Sequence, residues 1–428
     1  MKKKLGFLSI VLLGINAIIG SGIFLLPNKA MALTGTASLG VIIFNMIVVM
    51  SIALCFAEAA TYFKKNGGPY VYAKEAFGEF IGFEVGFIKW AICIIAWATM
   101  AVAFATALGQ IIPAAQDPQI QNLIVVAVLA GLGIVNIIGV NLSKILNNVV
   151  TVSKLVPLTL FIAIGIFFIK PENFNPLFPG GTYTPGTFGA TALLLFYAFT
   201  GFENIAVAAE DMENPQRDLP KATIIVMIVI SCFYFLIQLV SIGILGPELA
   251  HIPAPIQTAM GMIMGPFGSA LVAAGTLISI GGINIANSFV TPRCGVALAD
   301  DGLLPSIVSK RSKRNTPTVA ILISVGIAIP IALSGSFEKL AAISVVSRFA
   351  QYIPTCLSVL VFRKRNQPTE FDFKIPFGPV IPIFAIGISL WLLSQATKEQ
   401  LLWGLGGLLC AVPFYFIMKR KQTKTELK

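Results

Sequence analysis

Apolar residues in this chain gather into twelve long runs, at 7–33, 39–62, 82–112, 121–140, 146–169, 187–210, 221–245, 264–293, 317–335, 339–362, 378–395 and 400–418. A helix that crosses a bilayer needs roughly 20 apolar residues, and each run is near or above that length. None shows the two-residue alternation of a barrel strand, so the runs read as helices. Composition points the same way. The chain is 56% hydrophobic and 11% charged, where soluble domains hold roughly 45–50% and about 25%. A soluble core of 428 residues would be expected to split into domains, yet no polar linker divides this one. The expectation is an all-α integral membrane protein of twelve transmembrane helices.

Basic residues set the orientation. With the N-terminus inside, 23 of the 30 Lys and Arg fall in inner segments and four (Lys29, Lys170, Lys339, Lys398) in outer ones. That bias predicts both termini on the cytoplasmic side of a cell membrane. The net charge of +11 therefore reflects topology, and nucleic-acid binding is set aside. Lys2-Lys3-Lys4 before an apolar run, with Ala30-Met31-Ala32 beyond it, has the outline of a signal peptide. The run is long for one and is interrupted, so it reads as the first membrane helix. Six cysteines without a CxxC suggest neither a disulfide framework nor a zinc site. The single histidine, His251, falls in an outer loop. No metal or nucleotide motif and no catalytic cluster is present, so neither a cofactor nor an enzyme is expected.

Two runs are interrupted. Gly20-Ser21-Gly22 lies roughly fourteen residues into the first, and Thr200-Gly201 roughly fourteen into the sixth, near mid-bilayer at about 1.5 Å per residue. The two runs point in opposite directions, offset by five helices. Glycines in membrane helices often serve only packing, but matched depth and this offset are what an inverted five-plus-five repeat requires. The repeats would be 1–169 and 170–362, with 363–428 adding two helices and a tail. An interrupted helix exposes backbone groups that lipid does not satisfy. The half-helix starting at Gly22 offers N–H groups and a positive dipole end to a carboxylate. Those ending near Ile19 and at Tyr197, Ala198 and Thr200 offer carbonyls to an ammonium. An amino acid zwitterion carries both groups.

The residues around the breaks resemble a known family. Gly20-Ser21-Gly22-Ile23-Phe24-Leu25-Leu26-Pro27 is similar to the first-helix motif of the amino acid–polyamine–organocation transporter superfamily. So are Phe199-Thr200-Gly201-Phe202-Glu203, the stretch Glu210-Asp211-Met212-Glu213-Asn214-Pro215-Gln216-Arg217-Asp218-Leu219-Pro220, and the segment from Arg293 to Pro305 containing Asp300-Asp301-Gly302. The likeness covers essentially the whole chain, with bacterial relatives of the L-type light chains as its nearest type. It implies the leucine-transporter-like fold, alternating access, and an aromatic lid at Tyr197. It also suggests hydroxyl contacts from Ser21 and Thr200, with Ser279 and Asn284 lining the pathway or merely bonding their own backbone.

Lys154 stands about eight residues into the fifth run, or roughly 12 Å from its inner end. A lysine at such depth either works there or snorkels to the interface. In sodium-coupled members of the resembled fold, the first, fifth and eighth helices enclose a sodium ion; in several relatives a lysine of the fifth takes its place. Lys154 matches that position, facing carbonyls near Ile15 and Asn16 and the Ser279 hydroxyl. The resemblance thus implies sodium independence, with the lysine either titrating in proton coupling or tethering helices as a fixed charge. Of the acidic residues, only Glu58 and Glu203 read as clearly inside runs. Both, with the unexplained Arg348, are gating candidates. So little negative charge favours a small neutral amino acid as substrate over a cationic amino acid or an amine. A channel would need a continuous polar pore. Substrate and bilayer are the expected partners, and an accessory subunit is undetermined.

Overall fold

The computed structural model describes residues 6–63, 68–139, 144–207, 215–365 and 373–426. Within these residues the chain is helical and has no strand. The helices are α1 Phe7–Ile18, α2 Gly22–Leu25, α3 Pro27–Thr34, α4 Ser38–Thr61, α5 Pro69–Phe77, α6 Glu79–Gly109, α7 Pro118–Ile138 and α8 Lys144–Gly165. They continue as α9 Thr187–Phe196, α10 Glu203–Val207, α11 Pro215–Leu245, α12 Pro255–Asp300, α13 Thr318–Leu333, α14 Phe337–Lys364, α15 Val380–Ser394 and α16 Lys398–Glu426. Among the described residues each of the twelve apolar runs is mostly helical. Among the described residues, nine helical segments are long and apolar enough to cross a membrane. Phe7–Ile18, Thr318–Leu333 and Val380–Ser394 are shorter apolar helices.

Local chemistry accounts for the ends. α7 starts where the Asp117 carboxylate accepts the N–H groups of Gln119 and Ile120 and Pro118 takes the first helical position. It stops at Gly139, which adopts the left-handed conformation that L side chains disfavour (φ +87°). α12 is longer at both ends than its apolar run, because it begins with a short helix that turns at Gly265 ahead of Pro266. α5 lies in the polar connection between the second and third runs. At nine residues it is too short to span, and the sequence reading has no counterpart for it.

The core is built by long helices. α6 packs against α12 and α14, α4 against α11, α7 against α13, and α8 against α12. α1 lies on α10 and α11. Numbering the runs in order, first touches sixth, second seventh, third eighth and fourth ninth. At one end of the bundle lie the basic connections that hold Lys310, Arg311, Lys313, Arg314 and Arg363 to Arg365; this is called the basic end below.

Candidate functional site

Both interruptions are present in the backbone. α1 ends at Ile19, whose ψ of 99° is extended, and helix resumes only at Gly22. α9 runs into a tight turn at Tyr197–Phe199, Thr200 is extended (ψ 152°), and α10 begins at Glu203. The two breaks touch. A Cβ on Gly22 would stand 2.8 Å from the Ala198 Cα, and Gly201 has φ +113° with its open side against the Ala17 carbonyl. Only glycine fits at these two positions, since a side chain meets opposing backbone that cannot step aside. At Gly20 the obstacles are the Ile283 Cδ1 (2.9 Å) and the Met100 Cε (3.0 Å), both ends of flexible side chains.

Backbone groups at the breaks divide sharply. The N–H groups of Gly20, Ser21, Gly22 and Ile23 find no acceptor among the described residues, whereas Phe24 and Leu25 both donate to the Ser21 carbonyl. Four N–H groups thus converge on the start of α2, at its positive dipole end. The carbonyls, by contrast, already hold internal donors. Lys154 Nζ donates to Asn16 O (3.1 Å) and Ile19 O (2.6 Å). The Tyr234 hydroxyl donates to Ala198 O (3.0 Å) and Ile18 O (3.4 Å), tying one break to the other. Tyr197 O accepts from the Thr200 N–H (3.1 Å) and hydroxyl (2.8 Å). An ammonium must therefore use the second lone pair of a carbonyl that is already engaged.

Side chains complete the surroundings. Ser21 and Tyr197 hydroxyls lie 3.3 Å apart, joining the breaks, and Ser21 Oγ is 3.5 Å from the Met100 sulfur. The Tyr197 ring meets Phe337 edge-on, with centroids 5.6 Å apart. Asn284 crosses from α12 to α6, donating to Met100 O (2.8 Å) and to its own turn at Ile280 O (3.1 Å). Ser279 reaches Ile19 O at 3.5 Å, sharing that carbonyl with Lys154. Ile15 stands apart from the lysine, because its carbonyl accepts the Ile19 N–H (3.0 Å).

The acidic residues pair inside the protein. Glu203 is fully buried and forms an ion pair with Arg348. Its other oxygen accepts the Gly201 N–H (3.0 Å) and the Tyr352 hydroxyl (3.1 Å). Arg348 thus faces a carboxylate of the protein, and Glu203 caps the sixth-run break. Glu58 ties the basic ends of α4 and α14 through a two-pronged pair with Arg363 (2.6 and 2.5 Å) and accepts the Ile375 N–H (2.7 Å). One expectation is corrected. α6 begins at Glu79, so Glu84 is a third carboxylate inside a membrane-length helix, and it is buried. Tyr234, Met100, Tyr352 and Arg363 were not singled out in the sequence. Tyr234 left one trace, a polar aromatic in the middle of an otherwise apolar run. Residues 210–214 of the family-like stretch lie outside the described residues.

A bundle of membrane-length helices around two facing interruptions defines a class, the membrane carriers. The chain matches the amino acid permease family from residue 5 to residue 422 and belongs to it. It is 34% identical over 418 residues to an uncharacterized transporter of Mycobacterium tuberculosis, covering 91% of this chain and 86% of the relative. Two Bacillus subtilis proteins align over 99% of the chain: a branched-chain amino acid permease (26% identical, 94% of its length) and a serine/threonine exchanger (27%, 98%).

Proposed function

We propose that this chain is a secondary transporter for small neutral L-amino acids, sodium-independent, working by alternating access as an exchanger or a proton symporter. One observation carries the reading: four unpaired N–H groups at the start of α2 face a second broken helix across a Ser21–Tyr197 contact. A carboxylate would sit on those N–H groups and the α-ammonium on the remaining lone pair of the Ala198 carbonyl, with Tyr197 and Phe337 closing over the pair. Gly20 and Gly201 leave room for the substrate backbone, and Thr200 holds the turn. Ser279 and Asn284 brace the wall.

Neutral substrates are favoured because the carboxylate at the breaks, Glu203, is spoken for by Arg348, and Glu58, at the basic end, by Arg363. The branched-chain amino acid permease and the serine/threonine exchanger among the relatives lend this choice support. Sodium independence rests on Lys154, whose ammonium fills the space between Asn16 O, Ile19 O and the helix bearing Ser279; a second cation there would meet its repulsion. Contacts between runs offset by five support an inverted repeat of 1–169 and 170–362 within a twelve-span bundle. The basic-residue bias supports cytoplasmic termini in a cell membrane. In this scheme Glu203 and Arg348 brace the sixth-run break, and Glu58 with Arg363 fixes the basic ends of helices that shift during exchange.

The test is counterflow in liposomes across the standard amino acids, with and without a pH gradient, and with choline replacing sodium. Saturable uptake of alanine, serine or a branched-chain amino acid, unchanged by choline, is expected. Preference for arginine, or a large loss in choline, would overturn the substrate or the ion assignment respectively.

A further inference from the structure

At the basic end, the chain between α12 and α13 folds into a tight turn that presents cations. The Ser312 N–H donates to Thr316 O (2.8 Å) and the Asn315 N–H to Ser312 O (2.9 Å). The Ser312 and Thr316 hydroxyls lie 2.7 Å apart, and the Ser312 hydroxyl accepts the Arg314 N–H (3.2 Å). Asn315 adopts the left-handed conformation (φ +59°), which asparagine tolerates better than most side chains. Thr316 anchors the turn by donating to Ile137 O at the end of α7 (3.2 Å), where Gly139 packs against Thr316 and Arg314. Lys310, Arg311, Lys313 and Arg314 are thereby held, all exposed, on one short braced stretch.

A fifth cation joins them from α12. Arg293 donates to Phe289 O (2.8 Å), and its guanidinium lies 5.6 Å from the centre of the Phe289 ring. Arg311, which donates to Asn315 Oδ1 (3.4 Å), stands near enough to Arg293 for the two like charges to oppose each other. Among the described residues no ion pair joins any of the five to a carboxylate. A braced turn that brings two guanidiniums together against their repulsion, with no carboxylate of the protein between them, suits an anion from outside. Each guanidinium has five donors, so both keep N–H groups for such an anion. Their planar forks match the oxygens of a phosphate.

The surroundings select among phosphates. Ile134 and Ile138, one turn apart on α7, and Val290, three residues before Arg293 on α12, are all exposed. The two helices are joined nearby by Asn136, which donates to Ser288 O (2.6 Å). The cations thus border an apolar outer face at the ends of two membrane-length helices. A soluble anion would use the cations alone, whereas an amphiphile uses both, and basic clusters just beyond a membrane helix attract anionic lipids. We infer that this corner binds an anionic phospholipid: its phosphate between Arg293 and Arg311, with Lys313 and Arg314 adding attraction, and its acyl chains along Ile134, Ile138 and Val290.

Thermal unfolding of the purified full chain in detergent tests this, with short-chain phosphatidylglycerol, short-chain phosphatidylcholine and soluble glycerol phosphate added in turn. A bound ligand raises the midpoint by mass action. Phosphatidylglycerol is expected to raise it by several degrees more than phosphatidylcholine. Arg293→Gln combined with Arg311→Gln should lose that preference. Lys313→Gln combined with Arg314→Gln, which leaves α12 untouched, should reduce it and keeps the test open if the first variant folds poorly. Arg217→Gln combined with Lys221→Gln removes the same charge from the start of α11 and should keep the preference in full. Equal shifts from the two lipids would overturn the inference. So would an undiminished preference in both site variants, or an equal loss in the α11 variant. A shift from glycerol phosphate matching that from phosphatidylglycerol would overturn the assignment to a lipid.

Discussion

Lys154 is the residue on which the first break leans most. Its side chain is fully buried, and its ammonium holds two carbonyls at the end of α1. Lys154→Ala removes both hydrogen bonds and the charge together. Uptake should fall at least tenfold, measured against the amount of protein in the membrane, and the residual activity should have an altered pH profile. Unchanged transport with an unchanged profile would remove the lysine from the mechanism. Glu203 carries a comparable burden at the second break. Breaking a buried pair by removing one partner costs about 3–5 kcal/mol, so Glu203→Gln should lower the melting midpoint markedly by stranding Arg348. Adding Arg348→Met should recover part of that loss in a double-mutant cycle. These partnerships were only half legible in the sequence. Buried charges announce themselves by residue type in an apolar run. Their partners lie as far away as Glu203 from Arg348 or Glu58 from Arg363, and no local pattern links them. Glu84 escaped notice for a different reason: it sits so near the start of its run that it reads as flanking charge.

The elements that matter most here are the ones that stop. Helices α1 and α9 end where the chain changes from apolar β-branched and aromatic residues to Gly-Ser-Gly and Thr-Gly, and those breaks were readable because glycine and serine are conspicuous inside membrane runs. The role of each glycine was less readable, since it depends on what lies across the gap. Gly22 faces the Ala198 backbone, while Gly20 faces the movable ends of Ile283 and Met100. Gly22→Ala should therefore abolish substrate binding, while Gly20→Ala should weaken it only several-fold. Binding to the purified variants would check this, with an equal effect at both positions counting against the packing described. The short α5 was missed because its nine residues give too little periodicity to register, although Gly68-Pro69 and Gly78 mark both of its ends in the sequence. The free carbonyls expected at the breaks were also too generous. The sequence shows where helical hydrogen bonds must end, but not that Lys154 and Tyr234 would fold over to claim them.

On the scale of the whole molecule, the chain uses its helices to hold a small volume of unsatisfied backbone away from lipid. The number and order of apolar runs were plain from hydropathy, because the bilayer imposes one length on everything that crosses it. Their proposed arrangement came from matching two breaks, and contacts join each of the first four runs to the run five further on. The division of labour at the centre, with N–H groups left open and carbonyls mostly occupied, gives the site a particular demand. On the proposed reading it would call for a carboxylate first and tolerate an ammonium beside it. Competition in liposome counterflow addresses that demand directly, with L-alanine, alanine methyl ester and lactate each set against labelled L-alanine. L-alanine should compete strongly. The ester, which lacks the carboxylate, should not compete at all, and lactate, which lacks the ammonium, should compete weakly. Competition by the methyl ester as strong as that by alanine would mean that the N–H groups at the start of α2 do not hold the substrate.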